Sequence, residues 1–436
     1  MSDGAWAGLA VAGVTAAYAL GSRRLSGTRV TSAIVFTGSG VLIGPAVLDV
    51  IDIEHYAAPV LALMEAALTL VLFTDAMTVR RHHLVSGGFL PGRLLGIGLP
   101  LCIVAGWLLA WPLFPELTVW ELALVGTILA PTDAAVGKTA MSDPGVPAVV
   151  RHGLNAESGL NDGLVLPFFV VFAAAVPGTS YAQEGVAGTF WRSLLLSSAL
   201  GLLAGGLGGR LLRAARARDW VDRRWGQVYV LGVAVSAYEL AVLTHGSGFI
   251  AAWVAGFAFA HAVRLHQVTG RAPDPDHTTE FAENLGALLA SISLMVFGAV
   301  LLGPALQHLT WEIVLYAGLS LTVVRMLPVA VALAGSGLRT QTVAYIGWFG
   351  PRGLVSVVLA LLIVEEHVPG TQTLGRVVAV TVALSILLEG ISSAALAQRY
   401  GHWYARASAT AGGRGLREDA GVPDRPRVTP SGRSGP

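Results

Sequence analysis

The sequence predicts an all-α polytopic membrane protein of about 13 transmembrane helices. Three observations carry this. Only 13% of the residues are charged and 54% are hydrophobic, against roughly 25% charged in a soluble domain. The apolar residues gather into runs close to the roughly 20 residues that a helix needs to cross a bilayer. The arginines and lysines fall in alternate gaps between those runs. Spans are expected near residues 5–21, 30–48, 56–79, 94–114, 118–138, 148–176, 190–212, 227–243, 246–263, 284–305, 312–335, 341–363 and 374–397, the eighth and ninth parted only by Thr244, His245 and Gly246.

The charged gaps orient the chain. With each gap numbered by the span it follows, the odd gaps hold Arg23, Arg24 and Arg29; Arg80, Arg81 and Arg93; Lys138 and Arg151; a cluster from Arg210 to Arg224; Arg264 and Arg271; and Arg339. In the even gaps Arg192 and Arg376 are the exceptions. Positive loops stay cytoplasmic, so the N-terminus is expected outside and the C-terminus inside. The first apolar run, Ala5 to Leu20, is followed rather than preceded by its arginines, the reverse of a signal peptide, and is read as the first span. Residues 401–436, rich in Gly, Arg, Pro and Ser, are expected to form a disordered cytoplasmic tail, which leaves residues 1–400 as the transmembrane domain. The single cysteine, Cys102, excludes an intrachain disulfide or a cysteine-based metal site. A formal net charge of +1 gives no reason to expect a nucleic-acid partner.

Two spans are interrupted. The fifth is broken at Ala130-Pro131-Thr132-Asp133 and the twelfth at Gly350-Pro351-Arg352-Gly353. The third and tenth spans also share a pattern, PVLALMEAALTLVLFTDAMTV against LGALLASISLMVFGAVLLG. From the fifth to the twelfth, as from the third to the tenth, is an odd number of helices, so paired helices cross in opposite directions. That is the layout of an inverted-topology repeat, in which broken helices meet near the midplane to form a binding site.

Ionisable residues within spans cost about 2.5–3.5 kcal/mol each on insertion scales and need a reason. In the sixth span Glu157, Ser158, Asn161 and Asp162 lie at i, i+1, i+4 and i+5, on one helix face. Pro131 removes an amide and disfavours helix at Ala130. The carbonyls freed there, with Thr132 and Asp133, supply hard oxygen donors, which suit hard cations rather than transition metals. Arg325 and Arg352 stand inside apolar runs. A buried arginine must find an anion, and Glu157, Asp133 and Asp162 are the available ones. Asp75, near the end of the third span, either lines a cytoplasmic mouth or pairs with Arg80. Glu65, Glu239 and Glu389 receive no role, and His245, His261 and His266 sit near helix ends.

The segments LFTDAMTV, APTDAAVGK, NAESGLNDG, RMLPV and GWFGPRGLVS occur in that order at spans three, five, six, eleven and twelve. On them the chain resembles the monovalent cation:proton antiporters of the prokaryotic sodium/proton exchanger type, relatives of the animal exchangers. The resemblance covers about residues 5–400 and implies the inverted-repeat antiporter fold with crossing broken helices at spans five and twelve. It implies a homodimer in a bacterial plasma membrane. A dimerisation part of spans one to three and eight to ten would be joined through span seven to a transport core of spans four to six and eleven to thirteen. It also implies that Asp162 alternately holds cation and proton. Thr132, Asp133 and Ser158 would complete a Na+ site, and Arg325 and Asn161 would hold Glu157. The Asn161-Asp162 pair resembles the electroneutral branch. Na+ is the first cation to expect, with Li+ and K+ also suited to these ligands, and no cofactor beyond the transported ions. Ala134 stands where many members have Pro, Phe349 where a polar or basic residue is common, and Asp75 where Glu is commoner.

Two other classes compete on the residues alone. An intramembrane aspartyl protease would use Asp133 and Asp162 as its acids, but Glu157 and Arg325 are superfluous to it. A cation channel fits broken helices, whereas an acid cluster with a bound arginine favours tight binding over conduction.

Overall fold

In lipid a backbone N–H finds no water, so an apolar run satisfies its amides within its own helix. Among the described residues every regular element is accordingly helical. The structure, a computed structural model, describes residues 2–25, 28–49, 53–78, 89–133, 137, 141, 143–179, 182, 185–264, 276–365, 368–410 and 417–419.

The helices are α1 (Ser2–Leu25), α2 (Ser32–Ile43), α3 (Ile53–Thr78), α4 (Phe89–Leu113), α5 (Val119–Ile128), α6 (Ala148–Ala175) and α7 (Gly185–Ala217). There follow α8 (Arg223–Val242), α9 (Gly248–Arg264), α10 (Glu280–Gln307), α11 (Trp311–Ala332), α12 (Thr340–Trp348), α13 (Leu354–Glu365) and α14 (Thr371–Thr410). Each predicted span overlaps a helix, the twelfth being split into α12 and α13. Eight helices among the described residues are by themselves long and apolar enough to cross a membrane. Large apolar side chains such as Leu20, Leu108, Leu202, Leu211 and Leu327 stand exposed on the outer helices, an arrangement suited to lipid rather than water.

The ends of α5 follow from local chemistry. Thr118 and Glu121 form a reciprocal capping box at its start, satisfying two otherwise unpaired amides. It ends where Pro131 withholds a donor. The far part of the fifth predicted span lies largely outside the described residues. Short π-helical turns interrupt α4, α7, α10 and α11, and the one in α11, Ser320–Val324, directly precedes Arg325.

The close approach of α7 to α9 is built largely from small residues. Gly201, Gly205 and Gly209 recur every fourth position on α7, against Ala251, Ala255 and Phe259 of α9. Small residues at this spacing let backbones approach. The last helix departs from expectation. At 40 residues α14 is about 60 Å long, twice the roughly 30 Å hydrocarbon core, so residues 401–410, assigned from the sequence to the tail, continue the helix. Further along, Arg417–Asp419 forms a 3-10 turn whose Glu418 is buried and accepts hydrogen bonds from Arg339 N and Thr342 Oγ1.

The glycine stripe yields a stability test. A Cβ at Gly205 meets the Ala255 carbonyl oxygen, while at Gly206 no atom lies within 4 Å. Gly205→Leu is expected to cost about 1–3 kcal/mol or more through overpacking. It should lower the thermal unfolding midpoint of the purified protein in detergent, and Gly206→Leu should leave that midpoint unchanged.

Candidate functional site

The site forms where the two interruptions meet. Leu129 N and Ala130 N still bond back to Val125 O and Thr127 O, residues 131–133 then run on as non-helical chain, and residues 349–353 separate α12 from α13. Each break satisfies the other. Asp133 N donates to Pro351 O at 2.6 Å, and Leu354 N donates to Asp133 Oδ2 at 3.2 Å. Arg352 Nη1 donates to Ala130 O at 2.5 Å and to Pro131 O at 3.0 Å. Ser356 Oγ, on α13, donates to Ile128 O at 2.6 Å. A Cβ at Gly353 would collide with the Asp133 carboxylate, and one at Gly350 with the Arg325 guanidinium. Both glycines are therefore required by close approach.

The α6 face packs onto this junction. Glu157, Ser158, Asn161 and Asp162 are all buried, as their helical spacing predicts. Ser158 Oγ donates to Thr132 O at 2.6 Å, and Asn161 Nδ2 donates to Thr132 Oγ1 at 2.7 Å. Arg325 Nη1 meets Glu157 Oε1 at 2.7 Å, both side chains being almost wholly buried. The expected Arg325–Glu157 contact is thus present. The expected Asn161–Glu157 contact is not: the Asn161 amide N–H reaches across to Thr132, because the break carries that hydroxyl alongside α6. Asp162 Oδ1 is buried and receives no hydrogen bond from the described residues. Asp75, half-buried on α3, faces α6 at Gly159 and lies within electrostatic reach of Asp162, as does Asp133. The site therefore gathers carboxylate, hydroxyl and carbonyl oxygens. Among the described residues no group of three or more His, Cys, Asp or Glu side chains is arranged to hold a metal ion, so a bound cation would draw on the hydroxyls and carbonyls as well.

Arg352 is completely buried. The acid beside it is one to which the sequence reading gave no role. Glu389 of α14 accepts from Gly350 N through Oε2 and from Ser385 Oγ through Oε1, each at 3.1 Å. Ser385 Oγ in turn accepts from Arg352 N at 2.8 Å. The signal was available: Glu389 is the only charged residue between Arg376 and Arg399. Phe349 is buried and packs on Tyr345, with ring centroids 4.6 Å apart. Ala134 and His266 lie outside the described residues, while Glu239, His245 and His261 are exposed and away from the site.

Residues 10–399 match the family described as sodium/hydrogen exchanger, transmembrane. The chain belongs to the sodium/hydrogen exchanger family. These are transporters rather than enzymes, and the aspartyl protease reading falls with that membership. The chain is 24% identical over 336 residues to the K(+)/H(+) antiporter NhaP of Alkalimonas amylolytica, covering 76% of this chain and 56% of that protein. It is also 24% identical over 295 residues to the Na(+)/H(+) antiporter 2 of Zygosaccharomyces rouxii, covering 62% and 35%. The matched region thus spans between about a third and just over half of these curated relatives. Among solved structures, the sodium proton antiporter MjNhaP1 from Methanocaldococcus jannaschii at pH 8 superposes with a TM-score of 0.75 at 20% identity, over 92% of this chain and 99% of that one. The fold is shared.

The Arg325–Glu157 pair is testable without transport. Removing one partner of a buried ion pair costs about 3–5 kcal/mol, because the other charge is left unpaired. Arg325→Met is expected to destabilise the protein in detergent by that amount. Arg325→Met combined with Glu157→Gln should recover much of the loss, read from the thermal unfolding midpoints of the variants.

Proposed function

We propose that this protein exchanges a monovalent cation, Na+ first, for H+ across a bacterial plasma membrane. One observation carries the reading: Asp162 is buried beside two interrupted helices, and its Oδ1 takes no hydrogen bond from the described residues. The neighbouring Glu157 is already committed to Arg325. A buried carboxylate cannot keep a bare charge cheaply. It holds either a proton or a cation. Since one group serves both, binding of the two is mutually exclusive, and that exclusion is the physical basis of coupled exchange. Thr132, Asp133 and Ser158 supply further oxygens; each accepting oxygen retains a lone pair beyond the hydrogen bond it now accepts. Asp75 adds a further carboxylate on the α3 side.

The remaining parts of the reading follow from the charge alternation, the span pattern and the resemblance. Both loaded states cross and the empty charged site does not, which gives alternating access. The broken helices cross as members of an inverted repeat among about 13 spans, with the N-terminus outside and the C-terminus in the cytoplasm. The protein acts as a homodimer through spans one to three and eight to ten, with spans four to six and eleven to thirteen as the moving core. Asn161 in place of a second acid leaves one exchangeable charge, so one cation moves per proton. K+ is the second reading, favoured by the name of the Alkalimonas relative.

The test is a pH-jump assay on proteoliposomes supplied in turn with Na+, Li+, K+ and choline. Proton movement that depends on a small cation supports exchange, and proton or cation flux without the counter-ion points to a channel. Asp162→Asn should abolish exchange while leaving the folded yield intact; wild-type rates in that variant refute the assignment. Asn161→Asp is expected to change the charge moved per cycle, measured in vesicles with a clamped membrane potential, and unchanged coupling there removes the electroneutral argument.

A further inference from the structure

The core of the site contains two buried guanidiniums, and only one of them, Arg325, is paired with a carboxylate on the α6 face. The other, Arg352, gives Nη1 to the Ala130 and Pro131 carbonyls. Those carbonyls are the groups freed by the first break, adjoining Thr132. A cation held at Thr132, Asp133 and Asp162 must bind close to this positive charge.

Glu389 is placed to offset it. It is 4% exposed. Its two oxygens take Gly350 N and Ser385 Oγ, and Ser385, one turn earlier on α14, takes Arg352 N. The pair on α14 therefore grips the second break on both sides of Pro351. The carboxylate lies within electrostatic reach of both Arg352 and Arg325. The two arginines thus each have a glutamate nearby, Glu157 in direct contact with Arg325 and Glu389 bonded to the backbone segment that carries Arg352.

We infer that Glu389 is a positioning residue for cation exchange, whose negative charge offsets Arg352 and so preserves cation affinity at Asp162. The inference rests on the exchange reading above. A helix clamp alone would need only hydrogen-bond acceptors; charge compensation needs the anion.

The test uses full-length protein in proteoliposomes with Na+, Li+ or K+ as the probe. Glu389→Gln, nearly the same shape without the charge, is expected to raise the apparent cation KM about tenfold with a maximal rate within about threefold of wild type, while Glu389→Asp stays nearer to wild type. In the Arg352→Gln background, adding Glu389→Gln should change KM less than twofold, because the charge to be offset is gone. A wild-type KM in Glu389→Gln overturns the inference. Should Glu389→Gln alone fail to fold, the double variant still decides: it must be recovered in higher yield and exchange faster than Glu389→Gln, and no improvement overturns the inference. Wild-type vesicles without cation-dependent proton flux sink the exchange reading and this inference together, whereas normal wild-type flux with an indifferent Glu389→Gln sinks the inference alone.

Discussion

An interrupted helix at membrane depth leaves backbone carbonyls and amides that lipid cannot satisfy. Here two such interruptions are placed so that each supplies what the other lacks. Arg352, from one break, donates to the carbonyls of Ala130 and Pro131 in the other. Asp133, from the first break, exchanges hydrogen bonds with Pro351 and Leu354. The junction is a fixed bonded unit rather than a pair of loose loops. It sets where Thr132 stands, and Thr132 sets where Ser158 and Asn161 of α6 dock.

Charge obeys the same constraint. Burying an ion without a partner is costly, and truncating one partner of a buried pair costs more than the pair contributes. Arg325 reaches from α11 to Glu157 of α6, while Glu389 reaches from α14 to the backbone of the second break, beside Arg352. Four elements are thereby tied to one site: α6, α11, α14 and the α12–α13 break. The α7–α9 contact, made mostly of glycine and alanine, lies outside this network and draws on close backbone packing instead of charge.

The fold class and much of the site were legible in the chain. Low charge and long apolar runs specify membrane helices because lipid offers no alternative to internal hydrogen bonding. The Glu157-Ser158-Asn161-Asp162 face was legible because a helical period fixes which residues share a side. Pro131 and the GPRG segment announced the breaks. By contrast, the tail boundary was misplaced. Residues 401–410 carry the last helix onward, and Tyr400 stacks on Tyr345 with ring centroids 4.3 Å apart, a contact that composition does not reveal.

By itself the sequence determined which segments lie in the bilayer, where two of them break, and which acids share a helix face. These are local properties, set by hydropathy, proline and the 3.6-residue period. Only the tertiary structure decided who pairs with whom: Asn161 with Thr132 rather than Glu157, and Glu389 with the second break. A lone acid in an apolar run reads the same whether it glues helices or balances an arginine, since its partner is chosen by helix packing across residues remote in the chain.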